Sequence, residues 1–231
     1  MRESSGNLKY PGQVQRRLLV WMALIILFCC SSGWAQQVPP AVTFKFDFPG
    51  SDPDHYVIFV SADGAATYDS DGKLSAQSDA GEPFHFQFTL SEPTRIRIFD
   101  LTKQAHYFAG KVDSGKKKLA NTGTKVLLYK DGDKTTQATY NYSPVSAVED
   151  LTTLFQQLSA TLEFGRRLDY YRHYQKTALD DELKNLEQQV SQDDPADISA
   201  ITPILQQIAG DASLMNVVRA RAQRLLAAPV K

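Results

Sequence analysis

Phe84-His85-Phe86-Gln87-Phe88-Thr89-Leu90 alternates apolar and polar residues without a break, and Val42-Thr43-Phe44-Lys45-Phe46-Asp47-Phe48 does the same. A period of two puts all the rings of each segment on one side of an extended strand. Both segments are therefore half-buried strands, and a sheet built from them has an apolar face that needs a cover. More strands lie around them. Tyr56-Val57-Ile58-Phe59-Val60 is a short apolar run, Ala62-Asp63-Gly64 turns the chain, and residues 65–69 return as its hairpin partner. Residues 125–130 (Lys-Val-Leu-Leu-Tyr-Lys), the turn Asp131-Gly132-Asp133 and residues 135–142 form a second hairpin. The pattern predicts strands near 42–48, 56–61, 65–69, 84–90, 124–130 and 134–142.

One helix falls among them, near 92–108. Ser91 is its N-cap, Pro93 sits in the first turn, and Ile98, Leu101, Ala105 and Phe108 follow at helical spacing up to Gly110. After Ser143 the period changes to 3.6. Ser146-Ala147-Val148-Glu149 reads as a capping box ahead of Leu151, Leu154, Phe155, Leu158 and Leu162. Thr177 with Asp180 opens a second stretch carrying Leu179, Leu183, Leu186 and Val190. Residues 191–197 are a polar linker. Two short helices follow, one with Ile201, Ile204, Leu205 and Ile208, the other with Leu214, Val217, Val218, Ala222, Leu225 and Leu226. Gly210-Asp211 folds them back as a hairpin. Pro203 fits if the first of them begins near Ser199. Arg219, Arg221 and Arg224 lie off the stripe and are expected in water.

Strands and helices do not alternate throughout, so a parallel doubly wound sheet is excluded. The expected class is α+β: an antiparallel sheet covered by one or two helices, then a C-terminal all-α segment with a helical hairpin. The domains read as 1–35, a signal peptide; 36–143, the sheet with one helix; and 144–231, the helical region.

The leader reading rests on Arg2, Lys9, Arg16 and Arg17, followed by 13 apolar residues at 18–30 and small residues at Gly33 and Ala35. The apolar core is short of the roughly 20 residues that span a bilayer. Arg16-Arg17 has a twin-arginine look, but the greasy core favours the general secretory route. Neither Cys29 nor Cys30 follows a small residue, as a lipoprotein signal requires. The mature chain is expected to begin at Gln36, outside the cytoplasm, in the periplasm or beyond, with no stable membrane insertion. Both cysteines fall in the leader, so the mature chain is disulfide-free and has no thiolate chemistry. It keeps 21 basic and 25 acidic residues, a net charge of −4. That charge excludes a nucleic-acid binder working by bulk electrostatics.

Candidate chemistry is sparse. His55, His85, His106 and His173 show no metal-ligand spacing. Ser70-Asp71-Gly72-Lys73 and Ser114-Gly115-Lys116-Lys117 match Ser-x-x-Lys, but both lie at Gly-containing turns and no Lys-Thr-Gly accompanies them. Asp69-Ser70-Asp71-Gly72 opens like a calcium loop without completing one, and Asp52-Pro53-Asp54 reads as a turn. Residues 165–176 (Gly-Arg-Arg-Leu-Asp-Tyr-Tyr-Arg-His-Tyr-Gln-Lys) interleave Arg with Tyr. A stacking platform for RNA or glycan is one reading. The favoured one is an amphipathic helix that packs Leu168 and Tyr171 and leaves Arg166, Arg167 and Arg172 in water. Lys116-Lys117-Lys118 is a solubilising loop tip. No catalytic, cofactor-binding or metal-ligating residue is assigned, and no cofactor is implied.

Residues 56–68 (Tyr-Val-Ile-Phe-Val-Ser-Ala-Asp-Gly-Ala-Ala-Thr-Tyr), the 84–90 strand leading into Ser91, the Asp180-Asp181-Glu182-Leu183 helix and the Asn216-Val217-Val218-Arg219-Ala220-Arg221-Ala222 helix carry a resemblance. From Tyr56 to about Leu186 the chain resembles a group of uncharacterised exported bacterial proteins of unknown function. The resemblance implies location and architecture and no activity. The expected function is an exported, non-catalytic envelope protein acting as an interaction or structural module, with another envelope protein as partner. The alternatives are an envelope hydrolase using Asp/Glu chemistry and an envelope inhibitor or chaperone-like binder. An enzyme should gather titratable groups in one concave pocket, and a binder should show an exposed aromatic patch.

Overall fold

The alternating segments belong to a single sheet. A computed structural model describes residues 38–74, 78, 81–116, 119–192 and 196–227. The expected leader with Cys29 and Cys30, Lys117, Lys118 and linker residues 193–195 lie outside those residues. The strands are β1 (Ala41–Asp47), β2 (His55–Ser61), β3 (Ala65–Ser70), β4 (Phe84–Thr89), β5 (Thr124–Asp131) and β6 (Lys134–Tyr140). Their order is β4-β3-β2-β1-β5-β6, every neighbour antiparallel. Register carries the alternation across the sheet. Phe44 lies opposite Ile58 and Leu127, and all three are fully buried. The fold is α+β, as the sequence predicts.

Helix α1 (Glu92–Gln104) starts as expected, with the Thr94 N–H donating to Ser91 Oγ and Pro93 in the first turn. It ends earlier than the sequence suggests. His106, Tyr107 and Phe108 take left-handed φ values of 51°, 54° and 63°, and form a 3₁₀ turn. The reversal buries Phe108 and sets Tyr107 against Tyr129, ring centroids 4.8 Å apart. Thr136 Oγ1 donates to the Tyr107 carbonyl at 2.5 Å and holds the turn.

Helix α2 (Ser146–Tyr174) has 29 residues, about 44 Å at 1.5 Å per residue. The expected capping box does not form: the Ser146 side chain makes no cap bond. Glu149 instead reaches back to the Ser143 N–H at 2.9 Å, and Ser143 Oγ accepts from Val145 N. The N-terminal half of α2 covers the sheet beside α1. Leu151, Phe155, Leu158 and Leu162 belong to the sheet core, and Phe155 stacks on Phe44 with centroids 5.1 Å apart. From Phe164 on, the same helix enters a second core with Leu168 and Tyr171. Packing therefore changes partners inside α2 rather than at Ser143.

The second core is closed by α3 (Leu179–Ser191), a 3₁₀ turn (Ile198–Ile201), α4 (Thr202–Gly210) and α5 (Asn216–Leu226). Helix α3 begins at Leu179, so Thr177 is not its cap. Pro203 sits in the first turn of α4, which packs on α5 as a hairpin. Gly165 lets the 3₁₀ turn approach, since a Cβ there would lie 2.5 Å from Ile201 Cγ2. Arg221 is not solvated as expected. Helix α5 packs on α3 and faces Arg221 toward Asp180, at 2.8 Å, and Glu187. From Val38 onward the chain is one compact unit.

Leu225 is 3% exposed inside the second core. The apolar stripes of α4 and α5 are satisfied within the chain, so Leu225→Asp is expected to lower stability by several kcal/mol, about what burying an unpaired charge costs. Urea denaturation followed by circular dichroism measures this; an unchanged midpoint contradicts the packing.

Candidate functional site

Ser159, Glu163, Arg166, Tyr170 and Tyr174 follow one another along α2 at steps of four, three, four and four, so they share one face. This polar stripe crosses the point where α2 leaves the sheet. The inward positions of β3 run Ala66, Tyr68, Ser70, so β3 also turns polar there. The two polar runs meet. Glu163 Oε1 accepts from Tyr68 OH at 2.8 Å and from Ser70 Oγ at 2.5 Å. Tyr68 OH is also 2.8 Å from Ser159 Oγ. Arg166 Nη1 stands 3.6 Å from Glu163 Oε2 and donates to the Gly72 carbonyl at 2.9 Å, while Nη2 donates to the Glu82 carbonyl at 2.7 Å. Its guanidinium lies over the Phe84 ring at 4.9 Å. Glu163 and Arg166 are both buried.

Gly72 leaves room for the carboxylate at this point. A Cβ on it would come within 2.7 Å of Glu163 Oε2. Glu163 Oε2 has no hydrogen-bond donor among the described residues. The cluster shifts its phenols. Burial pushes the Tyr68 hydroxyl well above its ordinary value, and the Glu163 carboxylate adds to the shift. Burial raises Tyr56 and Tyr140 as well.

Two recesses flank α2 here. One is a groove of about 410 Å³ between β4 and the C-terminal half of α2, walled by Phe84, Phe86, Leu162, Tyr170, Tyr174 and Ile204. Glu82, Arg166, Asp169 and His173 supply its charged and polar groups. The other is a cleft of about 340 Å³ that includes Asp52, Tyr56, Ser159, Glu163 and Arg167. In the groove, Arg166 is committed to two carbonyls, and Asp169 stands 3.3 Å from Arg172 and 3.5 Å from His173. The rings and aliphatic side chains, with the exposed Glu82, are left open to a ligand. Tyr174 is 75% exposed.

The residues singled out in the sequence scatter. His55 and His85 sit on β2 and β4, His106 in the 3₁₀ turn and His173 on α2. Among the described residues no three His, Asp or Glu side chains group as a metal site. His85 Nδ1 pairs across strands with Asp69 at 2.6 Å. Ser70 is a buried strand residue bound to Glu163, and the Lys73 N–H donates to Asp52 at 2.9 Å. Asp71 accepts from the His55 N–H at 3.3 Å. Ser114 N–H donates to the Tyr142 carbonyl. Leu168 and Tyr171 pack as expected, but Arg166 is buried, because its helix face meets the β3–β4 end of the sheet rather than water. Arg167 and Arg172 are held by Glu182 and Asp169. Glu163, Ser159 and Tyr68 escape sequence reading. Their signal is polar residues at positions where stripe and alternation call for apolar ones.

No protein-family model matches the chain, and no curated protein is similar enough to it to be a relative. Among the described residues no helix is long and apolar enough to cross a membrane.

Removing one partner of a buried ion pair typically costs about 3–5 kcal/mol. Glu163→Ala is expected to fall in that range and Glu163→Gln to cost less, by urea denaturation; equal and negligible losses contradict the lock. A second outcome follows from the phenols. Their raised folded-state pKa values mean that the folded chain keeps protons the unfolded chain releases. Their contribution is whole below pH about 10, the ordinary tyrosine value, and is lost as pH rises beyond it. Alkaline titration should show the buried phenolates forming together with unfolding. Full tyrosine ionisation in a chain that keeps its fold contradicts this.

Proposed function

We propose that the protein is an exported, non-catalytic binding module of the cell envelope, seating its ligand in the groove between β4 and the C-terminal half of α2. The groove carries the proposal: aromatic and aliphatic side chains dominate its lining, and Arg166 and Asp169 are already bound to partners in the chain. Ligand sites are commonly of this size and makeup. Export rests on the leader pattern of residues 1–35 and accords with the resemblance to exported bacterial proteins. Against the hydrolase alternative, Asp52 and Glu163 do line one cleft, but Glu163 is 3% exposed with Oε1 bound by two hydroxyls. A general acid or base must reach the proton it moves.

The test is capture from envelope extracts with the exported chain as bait. The wild type should retain a component that Tyr170→Ala/Tyr174→Ala loses while keeping the circular-dichroism spectrum of the folded chain. Equal retention by both contradicts the groove as the seat. Hydrolysis of an envelope glycan or peptide that disappears in Glu163→Gln overturns the non-catalytic reading.

A further inference from the structure

Among the described residues strand β4 ends the sheet, and half of its main chain has no partner there. The Leu90 N–H donates to the Gly64 carbonyl at 3.0 Å. Antiparallel pairs alternate between bonded and non-bonded, so the bonded pairs down this ladder are Phe88 with Ala66, Phe86 with Tyr68 and Phe84 with Ser70. The N–H and C=O groups of His85, Gln87 and Thr89 therefore point away from β3, and no hydrogen bond engages them among the described residues. Natural sheets guard such edges with charge, proline, bulges or cover. Phe-His-Phe-Gln-Phe-Thr has no Lys, Asp, Glu or Pro, whereas the opposite edge, β6, opens on Lys134.

The inward side chains tell the same story. Core-facing residues of β1 and β2 are at most 6% exposed. Phe84, Phe86 and Phe88 hold the corresponding positions on β4 but are only half-buried. Their rings stack in a ladder with centroids 5.9 Å apart at both steps. Phe84 and Phe86 form one wall of the groove, with Tyr170, Tyr174 and Ile204 across from them. A strand laid along β4 would sit about 4.8 Å away, with alternate side chains on the helical side. Those side chains would enter the groove and cover the ladder.

We infer that the ligand of this groove is an extended polypeptide segment, added to β4 as a seventh strand, with apolar side chains at alternate positions. The inference rests on the groove reading above and names its partner class. Main-chain bonds to His85, Gln87 and Thr89 supply affinity without sequence preference, and the groove selects alternate apolar residues. Phe84, Phe86, Tyr170, Tyr174 and Ile204 line it, so the alternate side chains that meet them are apolar. A second copy of the chain fits less well. An antiparallel two-fold β4 pairing would put both helical layers on the same face, where Tyr170, Tyr174 and Ile204 already face Phe84 and Phe86 across the groove. Helices need about 8–10 Å between axes, and paired strands stand only about 4.8 Å apart. A lone peptide brings no helical layer.

The experiment uses a fluorescein-labelled peptide alternating Val and Thr between terminal lysines, and a control of the same composition with its valines consecutive. Binding to the exported chain is followed by fluorescence anisotropy. The alternating peptide should bind and the control should not. Gln87→Pro removes one outward N–H, at an edge where proline is tolerated, and should weaken binding about tenfold, the effect of one lost main-chain hydrogen bond. N-methylating alternate peptide amides keeps the test independent of whether the variant folds. Methylation in one phase should abolish binding, and in the other leave it intact. Equal binding of both peptides, or indifference to both methylation phases, overturns the inference. A dimer that Gln87→Pro splits, with no peptide bound, overturns it in favour of a second copy. If the Tyr170/Tyr174 variant loses its envelope component while Gln87→Pro retains it, strand addition fails and the groove reading stands.

Discussion

One buried carboxylate holds the two halves of this protein together. Helix α2 is the cover of the sheet for its first half and the spine of the helical core for its second. At the handover, Glu163 accepts from the two β3 hydroxyls and faces Arg166, which is bonded to carbonyls on both arms of the β3–β4 connection. Desolvating such a pair is expensive, and apolar residues in its place are often as stable. Its value here is in register. An apolar contact tolerates sliding of α2 along the sheet; a carboxylate set between Tyr68, Ser70 and Arg166 does not.

The groove follows from that position. Because Arg166 anchors α2 over Phe84, the helix runs beyond β4 at a fixed distance from it. Gly165 then admits the 3₁₀ turn that carries Ile201, and Asp197 ties the same segment to the start of α1 through the Ser91 N–H at 2.8 Å. The recess between β4 and α2 is thus a consequence of the polar lock. It places the bare strand edge and the apolar groove side by side.

Much of this was legible in the sequence, because alternation and helical periodicity report burial directly. The six strands, their hairpins, the Ser91 cap and the α4–α5 hairpin all follow from it. What was not legible depended on partners far along the chain. Arg166 and Arg221 look like solvated helix residues until Gly72, Glu82, Asp180 and Glu187 are brought to them. Helix α1 stops at Gln104 because Phe108 reaches the core through a left-handed turn, which helical spacing cannot announce. Ser146 and Glu149 spell a capping box, yet Ser143 takes Glu149. The groove itself was invisible for the same reason: its walls come from β4, α2 and α4, and the sequence places these apart.

If Glu163 couples the sheet to the helical core, the two open as one unit. Native-state hydrogen exchange under mild denaturant measures this directly. Cooperative units open with characteristic free energies. In the wild type, the slow amides of β1–β3 and those of α3 and α5 should open together at one free energy. In Glu163→Gln the α3 and α5 amides should open first. A wild type in which α3 and α5 already exchange independently of the sheet would contradict the account.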